Sequence, residues 1–305
     1  MRIRLLGTAA GGGFPQWNCN CTNCRTARLD PATATPRTQS CIAVSSDGRR
    51  WFLVNASPDI RSQIESFPPL HPPAGSVRGT GIAAVLLTNA DLDHVLGLFN
   101  LRESGPLVVH ATAAVRRSLT GGLNLDAVLN SYNGIEWREP PGELAALNAQ
   151  DGTPSGIDYA AFVVPGKPPR YCHDAQPSPG DAVGYRFVDQ STGGRAVVIP
   201  DLAGFDEVVM RQTENADLLL LDGTFFDADE MSRAGTGRAT AAQMGHVPVG
   251  GPDGSLARIA GMGGGRRVYV HVNNTNAMLL ENSPQRADIE AAGVQIGADG
   301  MEFTL

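Results

Sequence analysis

Several large function classes are excluded by what the chain lacks. Charged side chains make up only 18% of its 305 residues, and no run of Lys or Arg exceeds two. Acidic residues number 31 against 24 basic ones, a formal net charge of -7. A general nucleic-acid binder carries a basic face, so nucleic acid is not an expected partner. No apolar run approaches the roughly 20 residues that a spanning helix needs, and Met1–Gly7 is too short for a signal peptide. No membrane span is therefore expected, and the cytoplasm is the expected location. With 36 glycines and 21 prolines the chain is no helical bundle, since an interior helical glycine costs about 1 kcal/mol. What is present is 42% hydrophobic residues, enough for a sizeable core in one domain over residues 1–305.

The hydrophobic pattern is that of an α/β protein. Strands are expected at 2–6, 82–88, 107–110, 185–188, 195–199, 217–222 and 266–271, with a hairpin of 38–45 and 50–55 around Asp47-Gly48. Helices are expected at 60–66, capped by Asp59, and at 94–102, 112–119, 205–212 and 283–292. Strand, loop, helix, strand, helix is βαβ grammar. Residues 120–182 resist assignment, and 294–305 read as a hairpin around Asp299-Gly300.

Thr88-Asn89-Ala90-Asp91-Leu92-Asp93-His94 leaves a hydrophobic strand and enters a helix. Loops at strand carboxyl ends are where α/β proteins place their sites. Carboxylate oxygen with imidazole nitrogen suits Zn, Mn or Fe(II). A helix cap by Asp93 would explain one carboxylate, but not both together with His94. Asp201, Asp222 and His271 also end apolar strands. His271 carries more weight, because the chain has only six histidines. Cys19, Cys21 and Cys24 are spaced for one structural zinc rather than for bridges. Gly11-Gly12-Gly13 lacks the Gly-Lys-Ser/Thr of a phosphate loop and suits close backbone approach near the metal instead.

The loop at residue 90 resembles the metallo-β-lactamase superfamily, defined by His-x-His-x-Asp-His after a strand. Here the frame reads Asn89-x-Asp91-x-Asp93-His94, with the first two histidines replaced. Asp201 and His271 fall where the superfamily places later ligands, whereas His173 is a poor match for the mid-chain histidine. The resemblance narrows to the PQQ-biosynthesis protein B family. It is carried by Trp17-Asn18-Cys19-Asn20-Cys21-Thr22-Asn23-Cys24, Asp91-Leu92-Asp93-His94-Val95-Leu96-Gly97-Leu98, Leu101-Arg102-Glu103, Gly245-His246-Val247-Pro248 and His271-Val272-Asn273-Asn274-Thr275-Asn276, spread over essentially the whole chain.

That resemblance implies a four-layer αββα sandwich with a metal in the cleft at the sheet edges. It implies a role in pyrroloquinoline quinone (PQQ) synthesis, as an iron- and oxygen-dependent hydroxylase acting on the tyrosine ring of a cross-linked Glu–Tyr diamino acid. A non-enzymatic carrier of PQQ or its precursor to the periplasm and a metal-dependent hydrolase are the alternatives. Asp91, Asp93, His94, His271 and Asp201 would hold the active-site ion: Fe(2+), with Zn(2+) or Mn(2+) as alternatives. His246 and Asp201 are candidates for moving protons, and Arg102 and Asn273 for substrate contacts. The cysteines would hold a structural zinc. Related hydrolases complete that site with a histidine three positions beyond the last catalytic one, which is Asn274 here; Asn274, His246 or water could serve. Trp17 is expected to pack or to stack on an aromatic substrate. Expected partners are a diamino-acid or quinone precursor and other PQQ-pathway proteins, with a homodimer left open.

Overall fold

The computed structural model describes residues 1–103 and 105–305. Fourteen strands form two sheets of seven. The first holds β1 (Arg2–Gly7), β2 (Cys41–Ser45), β3 (Trp51–Val54), β4 (Ile82–Leu86), β5 (Leu107–His110), β6 (Ile135–Arg138) and β14 (Glu302–Thr304), in the order β14-β1-β2-β3-β4-β5-β6. The second holds β7 (Ala145–Asn148), β8 (Pro154–Val163), β9 (Val183–Asp189), β10 (Arg195–Ile199), β11 (Leu218–Asp222), β12 (Arg266–Val270) and β13 (Gln295–Ile296), in the order β13-β12-β11-β10-β9-β8-β7. Strands β3 to β6 run parallel, as do β10 to β13, and the remaining pairs are antiparallel.

Three apolar clusters define four layers. Alternate side chains such as Ile42, Val44, Phe52 and Leu86 of the first sheet meet Val198, Leu220 and Val268 of the second in the interior. The intervening residues face outward. Ala43, Leu53 and Val85 pack against Ile60, Val115 and Leu129 from helices. Val197, Leu219 and Tyr269 pack against Ala27, Val209, Ile259 and Ile289 on the other side. Both faces of each sheet are thus buried, which is why β4 and β11 read as continuous apolar runs rather than alternating ones. This is an α/β metallo-β-lactamase-like sandwich with mixed sheets flanked by helices.

Three expectations are corrected. Residues 120–182 contain β6, β7 and the ten-residue β8. Their pattern is obscured by partial burial in β6 and by Pro154 and Gly156 in β8. Asp59 does not cap the helix Ile60–Glu65 with its side chain. Its carboxylate instead accepts from Gln39 N at 2.9 Å and Gln39 Nε2 at 3.0 Å. The end of the chain is no hairpin: β13 pairs with β12 in one sheet and β14 with β1 in the other. The crossover is held by Gly297 N on the Tyr269 carbonyl and Gly300 N on the Leu5 carbonyl, each at 2.8 Å. Asp299 accepts from Thr8 Oγ1 at 2.7 Å, Thr38 N at 2.7 Å and Thr38 Oγ1 at 2.8 Å.

Replacing Asp299 by Ala leaves those donors without a partner. The variant is expected to lose about 2–4 kcal/mol of stability, read as a lower midpoint in urea unfolding with an unchanged slope.

Candidate metal centre

The site assembles where the carboxyl ends of β4, β10, β11 and β12 meet. After β4 the chain turns through Leu87–Asp91 into a short helix, Leu92–Val95. Asp91 is the N-cap residue, with no side-chain capping bond. The turn is closed by Asn89, whose Oδ1 accepts from Asp91 N at 3.0 Å. Asn89 therefore does the local hydrogen bonding that Asp93 could have done, and Asp93 is left for the site.

Asp93, His94 and His271 lie with ligand atoms within 4.8 Å of one another, and so do Asp201, His246 and His271. His271 Nε2 is 3.1 Å from Asp93 Oδ2 and 3.7 Å from Asp201 Oδ1. Asn89 Nδ2 donates to Asp201 Oδ2 at 3.0 Å, so an amide donor stands where the superfamily frame has a histidine. His94 is fully buried, and its Nε2 has no hydrogen-bond partner among the described residues. A buried imidazole nitrogen without a partner, 3.8 Å from Asp93 Oδ2, fits an ion between these side chains, because leaving it bare costs about 1–3 kcal/mol. His271 adopts a left-handed backbone, φ 56, which is strained for a residue with a Cβ and is found where a site over-determines it. Gly11 lies against Asp93, since a Cβ there would stand 3.4 Å from the Asp93 carboxyl.

Both histidines are oriented from behind. Thr224 Oγ1 is 2.6 Å from Asp222 Oδ1 and 2.8 Å from His271 Nδ1. The carboxylate only accepts, so Thr224 donates to it and receives the His271 Nδ1 proton, which turns Nε2 toward Asp93 as the ring nitrogen an ion would take. Asp222 Oδ2 also accepts from His246 Nδ1 at 2.8 Å and Leu202 N at 2.9 Å, and Oδ1 accepts from Thr224 N at 2.9 Å. On the other side, His94 Nδ1 meets Thr88 Oγ1 at 3.2 Å. Thr88 is held by Asn55.

The charges are those of a cation site. Burial, then Asp201 and Asp93, push Asp91 up to about 6. Burial would also raise Asp93, but His94 and His271 hold it well below the usual carboxylate range. Burial would lower His271, but Asp201 and Asp93 lift it to about 10. Burial likewise opposes His246, yet Asp222 raises it. Carboxylates crowd the histidines, and a positive ion relieves that excess.

Cys19, Cys21 and Cys24 form a second cluster within 4.8 Å. Asn274 Nδ2 lies 3.2 Å from Cys19 Sγ, 3.7 Å from Cys21 Sγ and 3.2 Å from Cys24 Sγ. A half-turn of the amide puts Oδ1 in that place, so the position can serve as donor to thiols or as oxygen ligand to an ion. Asn23 Nδ2 clamps the Asn274 and Asn276 carbonyls at 3.1 and 3.0 Å. The cysteine loop is thereby tied to the segment that follows His271.

Other expected residues fall elsewhere. Asp91 stands beside the cluster electrostatically but belongs to neither group of ligand atoms. His246 stands inside it, facing Asp201 at 4.0 Å. Arg102 is not directed at the site: it donates to the Phe99 carbonyl, pairs with Glu103 at 3.3 Å and lies over Tyr132. That exposed pair contributes at most about 1 kcal/mol. His173 lines a separate cavity with Tyr171 and Arg117. Trp17 does not pack: it is 84% exposed. Asn273 is buried and bonded to Thr275. Thr224 carried no sequence signal, and Asp222 only that of a strand-end Asp.

Comparison with known proteins follows this geometry. A beta-lactamase superfamily domain model matches residues 50–272, and the chain is a member of that superfamily. The coenzyme PQQ synthesis protein B of Pseudomonas putida KT2440 is 43% identical over 307 residues, and that of Azotobacter vinelandii 44% over 310, each covering all of both chains. The solved structure of Zn(2+)-bound PqqB from Methylobacterium extorquens superposes over both full chains with TM-score 0.91 and 40% identity. The chain belongs to the coenzyme PQQ synthesis protein B family. A diphosphatase of the PhnP family, 18% identical with TM-score 0.69, shares the fold.

Two outcomes follow. Cys21→Ala should release about one zinc per chain, measured by elemental analysis, and lower the melting temperature; unchanged zinc content would remove the cluster from consideration as a metal site. Asp222→Asn should weaken metal binding at the histidine cluster by about 10–100-fold, measured by competition with a chelator.

Proposed function

We propose that the chain acts in PQQ biosynthesis as an iron- and oxygen-dependent hydroxylase on the tyrosine ring of a cross-linked Glu–Tyr diamino acid. Family membership supports the pathway, and the zinc of the Methylobacterium relative supports a metal in this chain, for which the cysteine and histidine clusters are the candidate sites. The observation that carries the reaction type is the donor set. Asp93, His94 and His271 are two histidines and one carboxylate, the composition of oxygen-activating non-haem iron sites. In this chain Asn89 binds Asp201 instead of offering an imidazole, which argues against the histidine-rich pair of zinc ions used in hydrolysis.

A ferrous ion held by Asp93, His94 and His271 would supply open positions for activating dioxygen beside a phenol. The chain supplies orientation and proton handling. Thr224 and Asp222 keep the His271 proton on Nδ1, and Thr88 fixes His94 from its Nδ1 side. His246, held at Nδ1 by Asp222, keeps Nε2 for the ring proton. Asp201 lies between His246 and His271 and shares in that transfer. One ring C–H becomes C–OH; the second oxygen atom of dioxygen leaves as water, with two electrons from an external reductant.

Protein loaded with Fe(II) under anaerobic conditions, then given the diamino acid, a reductant and oxygen, should yield a catechol heavier by one oxygen, with matching oxygen uptake. Activity confined to zinc-loaded protein would point to hydrolysis. Tight binding of PQQ or its precursor without oxygen uptake would point to a carrier. Either result would overturn the hydroxylase reading.

A further inference from the structure

The cysteine cluster and the metal centre share a neighbour that the chemistry above leaves unused. A cavity of about 550 Å³ is lined by Cys19, Cys21 and Asn274 on one side and by Gly11, the residue packed on Asp93, on another. The amide-bearing residues Gln16, Asn18, Asn20 and Asn273, the methionines Met231 and Met244, and the short stretch 234–236 line the rest. No acidic or basic side chain lines it among the described residues. A bare anion or a bare cation would find no counter-charge there. A net-neutral zwitterion would find both donors and acceptors in the amides, and an aromatic ring would find polarisable sulfur.

One of these amides is set in a defined orientation. Asn273 Nδ2 donates to Thr275 Oγ1 at 2.6 Å. Thr275 Oγ1 is 2.5 Å from Glu230 Oε1, and Glu230 Oε2 accepts from Phe226 N at 2.9 Å. An ionised carboxylate only accepts, so Thr275 donates to Glu230 and must receive from Asn273. The amide is therefore fixed with Nδ2 inward. Oδ1 is the atom left over, bonded to no protein group among the described residues. The wall presents an oriented carbonyl oxygen, held by two buried residues that are not among the grouped ligand side chains.

We propose that this cavity binds the zwitterionic amino-acid head of the substrate, with Asn273 Oδ1 accepting from its ammonium and Glu230, through Thr275, positioning that amide. The proposal rests on the diamino-acid substrate proposed above, and its test is separable from it because binding is measured without oxygen. Metal-loaded protein is titrated anaerobically with the cross-linked Glu–Tyr diamino acid in a calorimeter. The buffer is set at about pH 8.5, above the value of about 7 to which burial lifts Glu230, so that Glu230 is ionised.

Asn273→Ala should weaken binding about tenfold or more, and Thr275→Val about threefold to tenfold, with Thr275→Ser restoring it. Ala234→Trp, which fills the cavity from the end of the helix that carries Glu230 and Met231, should abolish binding. Metal content is measured for each variant, and Thr275→Val and Ala234→Trp keep the test decisive if Asn273→Ala loses metal. Wild-type affinity in Ala234→Trp and Thr275→Val, or no binding of the diamino acid to the unaltered protein, overturns the cavity assignment. Normal binding without oxygen uptake under turnover conditions overturns the hydroxylase and leaves the cavity standing. Oxidation at unchanged KM in the cavity variants does the reverse.

Discussion

The site depends on the buried carboxylate of Asp222. It accepts from Leu202 N, Thr224 N, Thr224 Oγ1 and His246 Nδ1, and through Thr224 it reaches His271. Removing a carboxylate from water costs several kcal/mol. Hydrogen bonds to a charged group each contribute about 1.5–3 kcal/mol net, so the four bonds together hold the carboxylate buried. The same bonds join the ends of β10 and β11, the turn after β12 and the segment that carries His246. A group that must be satisfied to stay buried thus also aligns the histidines.

Around that anchor the two halves of the molecule play different parts. The first sheet delivers Asp93 and His94 on a turn closed by Asn89. The second delivers Asp201, Asp222 and His271 at successive parallel strands. The crossing of the last strands between sheets, held by Asp299, fixes one half against the other. The cysteine loop is bound to the residues after His271 through Asn23 and Asn274, so a metal held by the cysteines would brace the rim of the other centre and one wall of the amide-lined cavity.

Legibility followed locality. The helix at Pro284–Ala291 begins where Ser283 and Pro284 predict, with Ser283 accepting from Arg286 N. The Thr88–His94 segment was readable because a strand end, two carboxylates and an imidazole fall within a few positions. Strand β8 was not, because its Pro and Gly read as loop and its pairing with β9 is non-local. The terminal hairpin reading failed for a related reason. Asp299-Gly300 is a sound turn, but the strands beside it find better partners in separate sheets than in each other.

Residue chemistry and local spacing by themselves determined the strand-end carboxylates and histidines, the cysteine triple, the altered superfamily frame and the α/β character. They did so because each depends on groups within a few positions along the chain. Only the tertiary structure decided that His271 meets Asp93 across 178 residues, that Asn89 is spent on Asp201, and that Arg102 turns away. It also decided that Thr224 sets the tautomer of His271. Hydrogen bonds between distant segments are fixed by how the sheets pack, and nothing in the spacing of the residues encodes them.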